Sequence, residues 1–303
     1  FSMVLLWDKW QLHNGNKATF FPTTPAVTAP AATSAAPSAA GAASVPASSG
    51  PAVAGAAQGA SSVPGQIAPA AAPVARERVE VKTDLYRLTF DSEGGSLIKA
   101  ELLQHIDMAD KSRNFLLLDE SAQRVYMAQT GLIGGSFPTH KTLMTAVPGP
   151  RELQDGQDAI TVRFESPEQG GLKLVKTWTI QRGAYDIAVR HEVVNTGNVA
   201  VSPQLYLQLV RDGNPPPGES SFYSTFTGPA VFTDAKKYQK VEFKDIENGK
   251  VDIPRDSPNG YVAMVQHYFA TAWLLADGVQ RELFTRKVDT NLYSVGMLTS
   301  LGT

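Results

Sequence analysis

The chain has no cysteine among its 303 residues. That excludes disulfides, thiol nucleophiles, cysteine-ligated zinc and iron–sulfur clusters, and it is compatible with an oxidising compartment. An excess of charge of either sign is also missing: 27 Lys and Arg stand against 29 Asp and Glu, for a net charge of -2 and a pI near 6.2. Lys and Arg are scattered rather than clustered, so there is no field to gather nucleic acid, and nucleic acid is not an expected partner. No apolar run reaches the roughly 20 residues needed to cross a bilayer, and no amphipathic pattern sustains a helix of four turns. From Ala18 to Ala75 there is no charged residue at all.

What the N-terminus does contain is a short apolar start, Phe1-Ser2-Met3-Val4-Leu5-Leu6-Trp7, followed by Asp8, Lys9 and Trp10. Too short to span by itself, this stretch is predicted to be the end of a transmembrane helix at the membrane interface over 1–15, with Trp7 and Trp10 as an aromatic belt. A signal-peptide remnant or the start of a buried helix are the other readings. Only Lys9 and Lys17 are basic before Arg76, so this flank lacks the Lys/Arg excess of a cytoplasmic loop and the rest of the chain is expected outside the cytoplasm. Residues 16–76 form a linker dominated by Ala, Pro, Ser and Gly. With no aromatic residue from Pro22 to Val74 and recurrent Pro, it cannot offset the entropy of ordering and is predicted to be a disordered tether. A coil of about 50 residues has an r.m.s. reach on the order of 40 Å.

From 77 to 303 the texture changes to short alternating runs broken by Gly, Asn, Asp and Pro, which predicts an all-β domain. Leu172, Leu174, Trp178 and Ile180 share one face of a strand, Gln181-Arg182-Gly183-Ala184 turns, and Tyr185, Ile187, Val189 and Val193 share one face of the return. Asn195-Thr196-Gly197-Asn198 then leads into Val199–Val210 as a third consecutive antiparallel strand. Tyr86–Phe90, the turn Asp91–Gly95 and Ser96–Leu103 make another hairpin, and Ala159–Phe164, Lys240–Phe243, Glu282–Val288 and Leu292–Leu298 supply further strands. So many strands would make a single open sheet too wide, so two large sheets packed face to face are expected.

The densest run is Asn259-Gly260-Tyr261-Val262-Ala263-Met264-Val265-Gln266-His267-Tyr268-Phe269-Ala270-Thr271-Ala272-Trp273. It resembles the G-[WY]-x-A-M-x-Q-[HQ]-Y-F-x-x-A-W segment of the large periplasmic domain in the YidC branch of the YidC/Oxa/Alb membrane protein insertases. Val81-Lys82-Thr83-Asp84-Leu85-Tyr86 with Gly94-Gly95-Ser96-Leu97, then Tyr126–Leu132, Lys176-Thr177-Trp178 through Val193-Val194-Asn195, and Tyr223–Phe243, including Lys236–Lys240, are similar to further segments of that family, in the same order, over nearly all of 79–298. The resemblance implies a β-supersandwich of the galactose-mutarotase type, on the periplasmic side of the bacterial inner membrane. It also implies that the insertion chemistry lies in a membrane core beyond Thr303, so that this domain docks partners or acts as a chaperone without a catalytic centre or cofactor. The partners it implies are nascent inner-membrane proteins, the Sec translocon with its accessory subunits, and the lipid membrane through the N-terminal helix.

Because mutarotase-like folds use a His and a carboxylate as acid and base, the candidates for such a pair are His105, His140, His191 and His267 with Asp107, Glu165 and Glu192. His191 and Glu192 are strand neighbours pointing to opposite faces, His105 and Asp107 fall in a polar stretch that reads as a surface loop, and His267 reads as structural. None reads as catalytic, and no His spacing suits a metal. A membrane-tethered carbohydrate-binding or epimerase-like sandwich is the alternative function. Gly131-Leu132-Ile133-Gly134-Gly135 lacks the Lys-Ser/Thr of a phosphate loop and reads as a bend. Pro215-Pro216-Pro217-Gly218 reads as a stiff loop or a polyproline ligand. Lys236, Lys237, Tyr238, Lys240 and Lys244 read first as an edge strand protected from pairing, and otherwise as a contact for anionic lipid or an acidic partner. Gly260, Tyr261, Met264, Gln266, His267, Tyr268, Phe269 and Trp273 form the family signature. Read as one central strand, that run places Gln266 and His267 inside, where each needs a hydrogen-bond partner.

Overall fold

The alternating pattern resolves into strands along the whole domain in a computed structural model, which describes residues 75–216, 218 and 225–302. The strands are β1 (Arg78–Lys82), β2 (Tyr86–Asp91), β3 (Ser96–Ile106), β4 (Asn114–Glu120), β5 (Val125–Ile133), β6 (Thr145–Ala146), β7 (Ala159–Glu165) and β8 (Leu172–Gln181). They continue as β9 (Ile187–Asn195), β10 (Gln204–Asp212), β11 (Gly228–Thr233), β12 (Lys237–Lys240), β13 (Asp256–Ser257), β14 (Tyr261–Gln266), β15 (Phe269–Leu274), β16 (Arg281–Asp289) and β17 (Leu292–Ser300). One short helix, α1 (Phe243–Glu247), follows β12. The predicted membrane helix end and the tether up to Val74 lie outside the described residues, while Arg76, the last residue of the predicted tether, pairs with Asp91 and Glu120 of the domain.

Nine strands form one sheet in the order β1-β2-β3-β4-β5-β10-β17-β16-β13. Facing it are two separate four-stranded sheets, β6-β7-β8-β9 and β12-β11-β14-β15. The expected sandwich is present, with one layer divided in two. Phe90 and Leu209 from the large sheet, Trp178 from one small sheet, and Val262 and Trp273 from the other belong to one buried cluster, so all three sheets close on a single core.

The hairpin read from Leu172 to Asn195 forms as β8 and β9, in register from Leu172 opposite Asn195 to Ile180 opposite Ile187. The turn of β2 into β3 needs Gly94, at φ 71°, because a Cβ there would collide with the backbone of His140. Three expectations are corrected. Val199–Val210 is not a third strand beside β9: β10 starts at Gln204 and crosses into the large sheet between β5 and β17. It is buried on both faces from Leu205 to Asp212, which requires a central position. Lys240–Phe243 is not a strand either; β12 ends at Lys240 and Phe243 opens α1, whose Ile246 packs with Val241 and Tyr293. Finally, the signature run is a hairpin rather than one central strand. β14 ends at Gln266, His267 and Tyr268 make an exposed turn, and β15 returns with Gln266 opposite Phe269 and Val262 opposite Trp273.

Candidate functional site

Dividing one layer leaves a gap over the large sheet. A cleft of about 610 Å³ opens there, floored by Leu97, Ala128, Leu205, Leu207 and Leu209 and walled by the two small sheets' edge strands β9 and β15. Ile187, Ala188 and Val189 line it from β9, and Ala270 through Leu274 from β15. Period-2 alternation explains the floor, since β5 and β10 lie antiparallel with Leu209 opposite Ala128 and Leu205 opposite Leu132, which puts their apolar sets on one face.

An aromatic contact joins the two small sheets beside the cleft. Trp178 of β8 and Trp273 of β15 lie 6.1 Å apart between ring centroids, and the Trp273 indole N–H donates to the Gln208 carbonyl at 3.0 Å. At one rim, Tyr86 meets Tyr185 edge to face at 5.5 Å, His105 lies 5.8 Å from Tyr185 and 5.2 Å from Phe269, and Phe269 stacks on Phe115 at 4.2 Å. Ile106, Met108 and Tyr268 are each more than 60% exposed on or beside these strand ends, and Leu274 is as exposed at the opposite end of β15.

Beneath the wall sits a polar network that sequence reasoning missed. Lys176, fully buried, donates from Nζ to the carbonyls of Gly94 at 2.5 Å and Thr130 at 2.7 Å. Thr130 Oγ1 lies 2.8 Å from Nε2 of His191, the cross-strand neighbour of Lys176, and His191 faces the cleft. Burial lowers the Lys176 ammonium to about 7, and burial followed by the Lys176 charge lowers the His191 imidazole to about 3. Nearby, Tyr206 Oη lies 2.5 Å from Nδ1 of His140; burial raises the phenol to about 12 and lowers the imidazole to about 4. The signal for Lys176 was its place at an even position in the apolar face Leu172, Leu174, Trp178, Ile180.

The candidate acid–base pairs are not brought together. Asp107 accepts from the N–H groups of Ala109 and Asp110, Glu192 pairs with Arg163 and Arg190, and Glu165 with Arg163. His105, expected on a surface loop, is instead in β3, with Nε2 3.2 Å from Tyr185 Oη. His267 is exposed in the hairpin turn, so it needs no internal partner. Gly131 to Ile133 continue β5, and the chain bends at Gly134 with φ 100°.

Of the signature residues, Gly260 has φ 95°, Tyr261 stacks on Phe232 at 5.4 Å, and the carbonyl of buried Met264 accepts from Tyr126 Oη at 3.2 Å. Buried Gln266 accepts from Arg124 at 3.1 Å. Tyr268 is exposed, Phe269 half-buried and Trp273 buried at the cleft wall. A second missed residue, Arg281, is 2% exposed. Its guanidinium donates to the carbonyls of Pro258, Gly260, Leu275, Ala276 and Val279, which ties both ends of the signature hairpin together. The lysine set lies at the opposite edge of the same small sheet: Lys237, Tyr238 and Lys240 are on β12, Lys236 pairs with Asp252 at 2.9 Å, and Lys244 is exposed on α1.

Comparison with known proteins supplies the family. The membrane protein insertase YidC of Janthinobacterium sp. (strain Marseille) is 44% identical over 304 residues, taking in 100% of this chain and 52% of that protein. The same-named protein of Bordetella parapertussis is 47% identical over 308 residues, 100% of this chain and 53% of that one. The chain thus spans about half the length of the curated relatives it matches. Among solved structures, a galactose mutarotase related enzyme from Lactobacillus acidophilus aligns with a TM-score of 0.41 at 9% identity, over 75% of this chain and 86% of that one. That likeness carries no argument about chemistry; the architecture stands on the strand pairings. The family model for the YidC periplasmic domain matches residues 78–303, and the chain belongs to that family.

Proposed function

We propose that this chain serves a membrane protein insertase from the periplasmic side of the bacterial inner membrane, where it docks clients or partner proteins without catalysis. In this reading residues 1–15 end a transmembrane helix, 16–76 are the tether and 77–303 the docking domain. Inner-membrane proteins in the course of insertion are the clients, and the Sec translocon and its accessory subunits are the neighbouring machinery. The observation that carries the reading is membership of the periplasmic-domain family across 78–303. The apolar cleft between β9 and β15 supports client docking, because apolar segments outside the bilayer need a surface of this kind. The lysine edge at Lys236, Lys237, Tyr238, Lys240 and Lys244 supports a separate contact with anionic lipid or an acidic partner, across the small sheet from the cleft.

Photo-crosslinking in inner-membrane vesicles tests both surfaces. A photoreactive residue at Ala272 is expected to capture newly made membrane proteins, and one at Lys240 to capture lipid or a translocon subunit. Membrane protein insertion that proceeds with no adduct from Ala272 would refute client docking at the cleft.

A further inference from the structure

Nine strands on one side of the core face four plus four on the other, and the divided layer opens where one more strand would make the two layers equal. We propose that the cleft receives an extended, uncharged polypeptide segment as a strand inserted between β9 and β15, joining the two small sheets into one. This rests on the docking reading above and names its mode: β-strand addition from both sides.

Three observations favour a polypeptide over a lipid or sugar. First, β9 and β15 are edge strands. Among the described residues, no backbone-to-backbone hydrogen bond reaches Ile187–His191 or Ala270–Leu274 apart from the ladders to β8 and β14. An edge presents alternating N–H and C=O groups, and a second backbone is the group that matches that spacing along its length. Second, β15 reads Phe-Ala-Thr-Ala-Trp-Leu, without a charge, Pro or Gly, whereas the edges β1, β9, β12 and β13 carry charges and the uncharged edge β6 is only two residues long. Charged edges deter pairing and β15 lacks that protection. The part of β9 at the cleft, Ile187-Ala188-Val189, is likewise uncharged. Third, the charge of the lining fits a neutral occupant. Asp186 is its one carboxylate, and His191 is held neutral at physiological pH, so a charged segment would be desolvated with little to pair it. The six residues of β15 span about 20 Å, which sets the inserted segment at about six residues.

The test is a titration of the protein with the capped hexapeptide Leu-Thr-Val-Ala-Leu-Thr, read by the fluorescence of Trp178 and Trp273. Two analogues carry N-methyl groups on alternate residues, one set at positions 1, 3 and 5 and the other at 2, 4 and 6. A strand held from both sides uses the two sets toward different neighbours, so each analogue should bind at least about tenfold more weakly than the parent. Weakening by one set alone means docking on a single edge and overturns the insertion; weakening by neither means an apolar groove without strand pairing. Absence of parent binding also overturns the inference, and the crosslinking at Ala272 then reports separately on client docking. A272R is expected to abolish binding while K173A, on the outward face of β8, leaves it unchanged. Because the N-methyl comparison alters the ligand alone, it decides the question even where A272R misfolds.

Discussion

Replacing Lys176 with Met should stabilise the protein most at pH 7 and below, and progressively less as the pH rises above 7. The ammonium is fully buried, and its partners are two carbonyls, of Gly94 and Thr130, rather than a carboxylate. Burial moves it from 10.5 to about 7. Between those values the unfolded chain holds a proton that the folded chain has released, so wild-type stability rises with pH across that window and is lowest below it. At about 1.4 kcal/mol per pH unit, the rise from pH 7 to pH 9 comes to about 2–3 kcal/mol. Met carries no proton and fills a similar volume, so Lys176→Met removes this slope, at a loss of about 1 kcal/mol for each hydrogen bond forgone. Urea unfolding followed by Trp fluorescence at pH 7, 8 and 9 measures it. The advantage of the variant should shrink by about 2–3 kcal/mol over the series. A difference between variant and wild type that stays constant with pH would refute a buried, neutralising Lys176. The comparison stops short of pH 10, where the unfolded chain begins to lose protons that Tyr86, Tyr126 and Tyr206, each raised to about 12, retain when folded.

Three further outcomes follow from the packing. Trp273→Ala should cost about 3–5 kcal/mol, because it empties a buried site between the small sheets and breaks the bond to Gln208; an unchanged urea midpoint would remove Trp273 from the core. Gly260→Ala should cost at least about 1–3 kcal/mol in thermal unfolding, since Gly260 has φ 95° and a Cβ there collides with the Phe232 carbonyl. Arg281→Met should cost about 3 kcal/mol or more and loosen the loops it binds, seen as faster amide exchange at Gly278 than in wild type; equal exchange would show that those carbonyls need no cation.

Much of the sandwich is legible in the chain because alternation marks strands whose two faces differ. β2, β3, β7, β8, β9, β16 and β17 fall within a few residues of the positions read from the pattern. Alternation does not say which strand lies beside which. Asn195–Asn198 looks like a hairpin turn, yet the chain uses the stretch before Gln204 to change layers, and β10 finds partners at least 71 residues before it and at least 80 after it. The signature hairpin was hidden for a different reason. Its turn, His267-Tyr268, has no Gly, Pro, Asn or Asp to announce it, so thirteen residues read as one strand. The cleft was not legible at all, since it arises from a gap between β9 and β15, two edges that are 74 or more residues apart in sequence. Lys176 carried a trace in the pattern, as the one charged residue on the apolar face of β8.

Amide hydrogen exchange of the protein with and without the hexapeptide tests the central claim most directly. The account predicts new protection at alternating amides on both β9, within Ile187–His191, and β15, within Ala270–Leu274, with β12 unchanged. Saturating peptide that leaves the amides of either edge unprotected would contradict it.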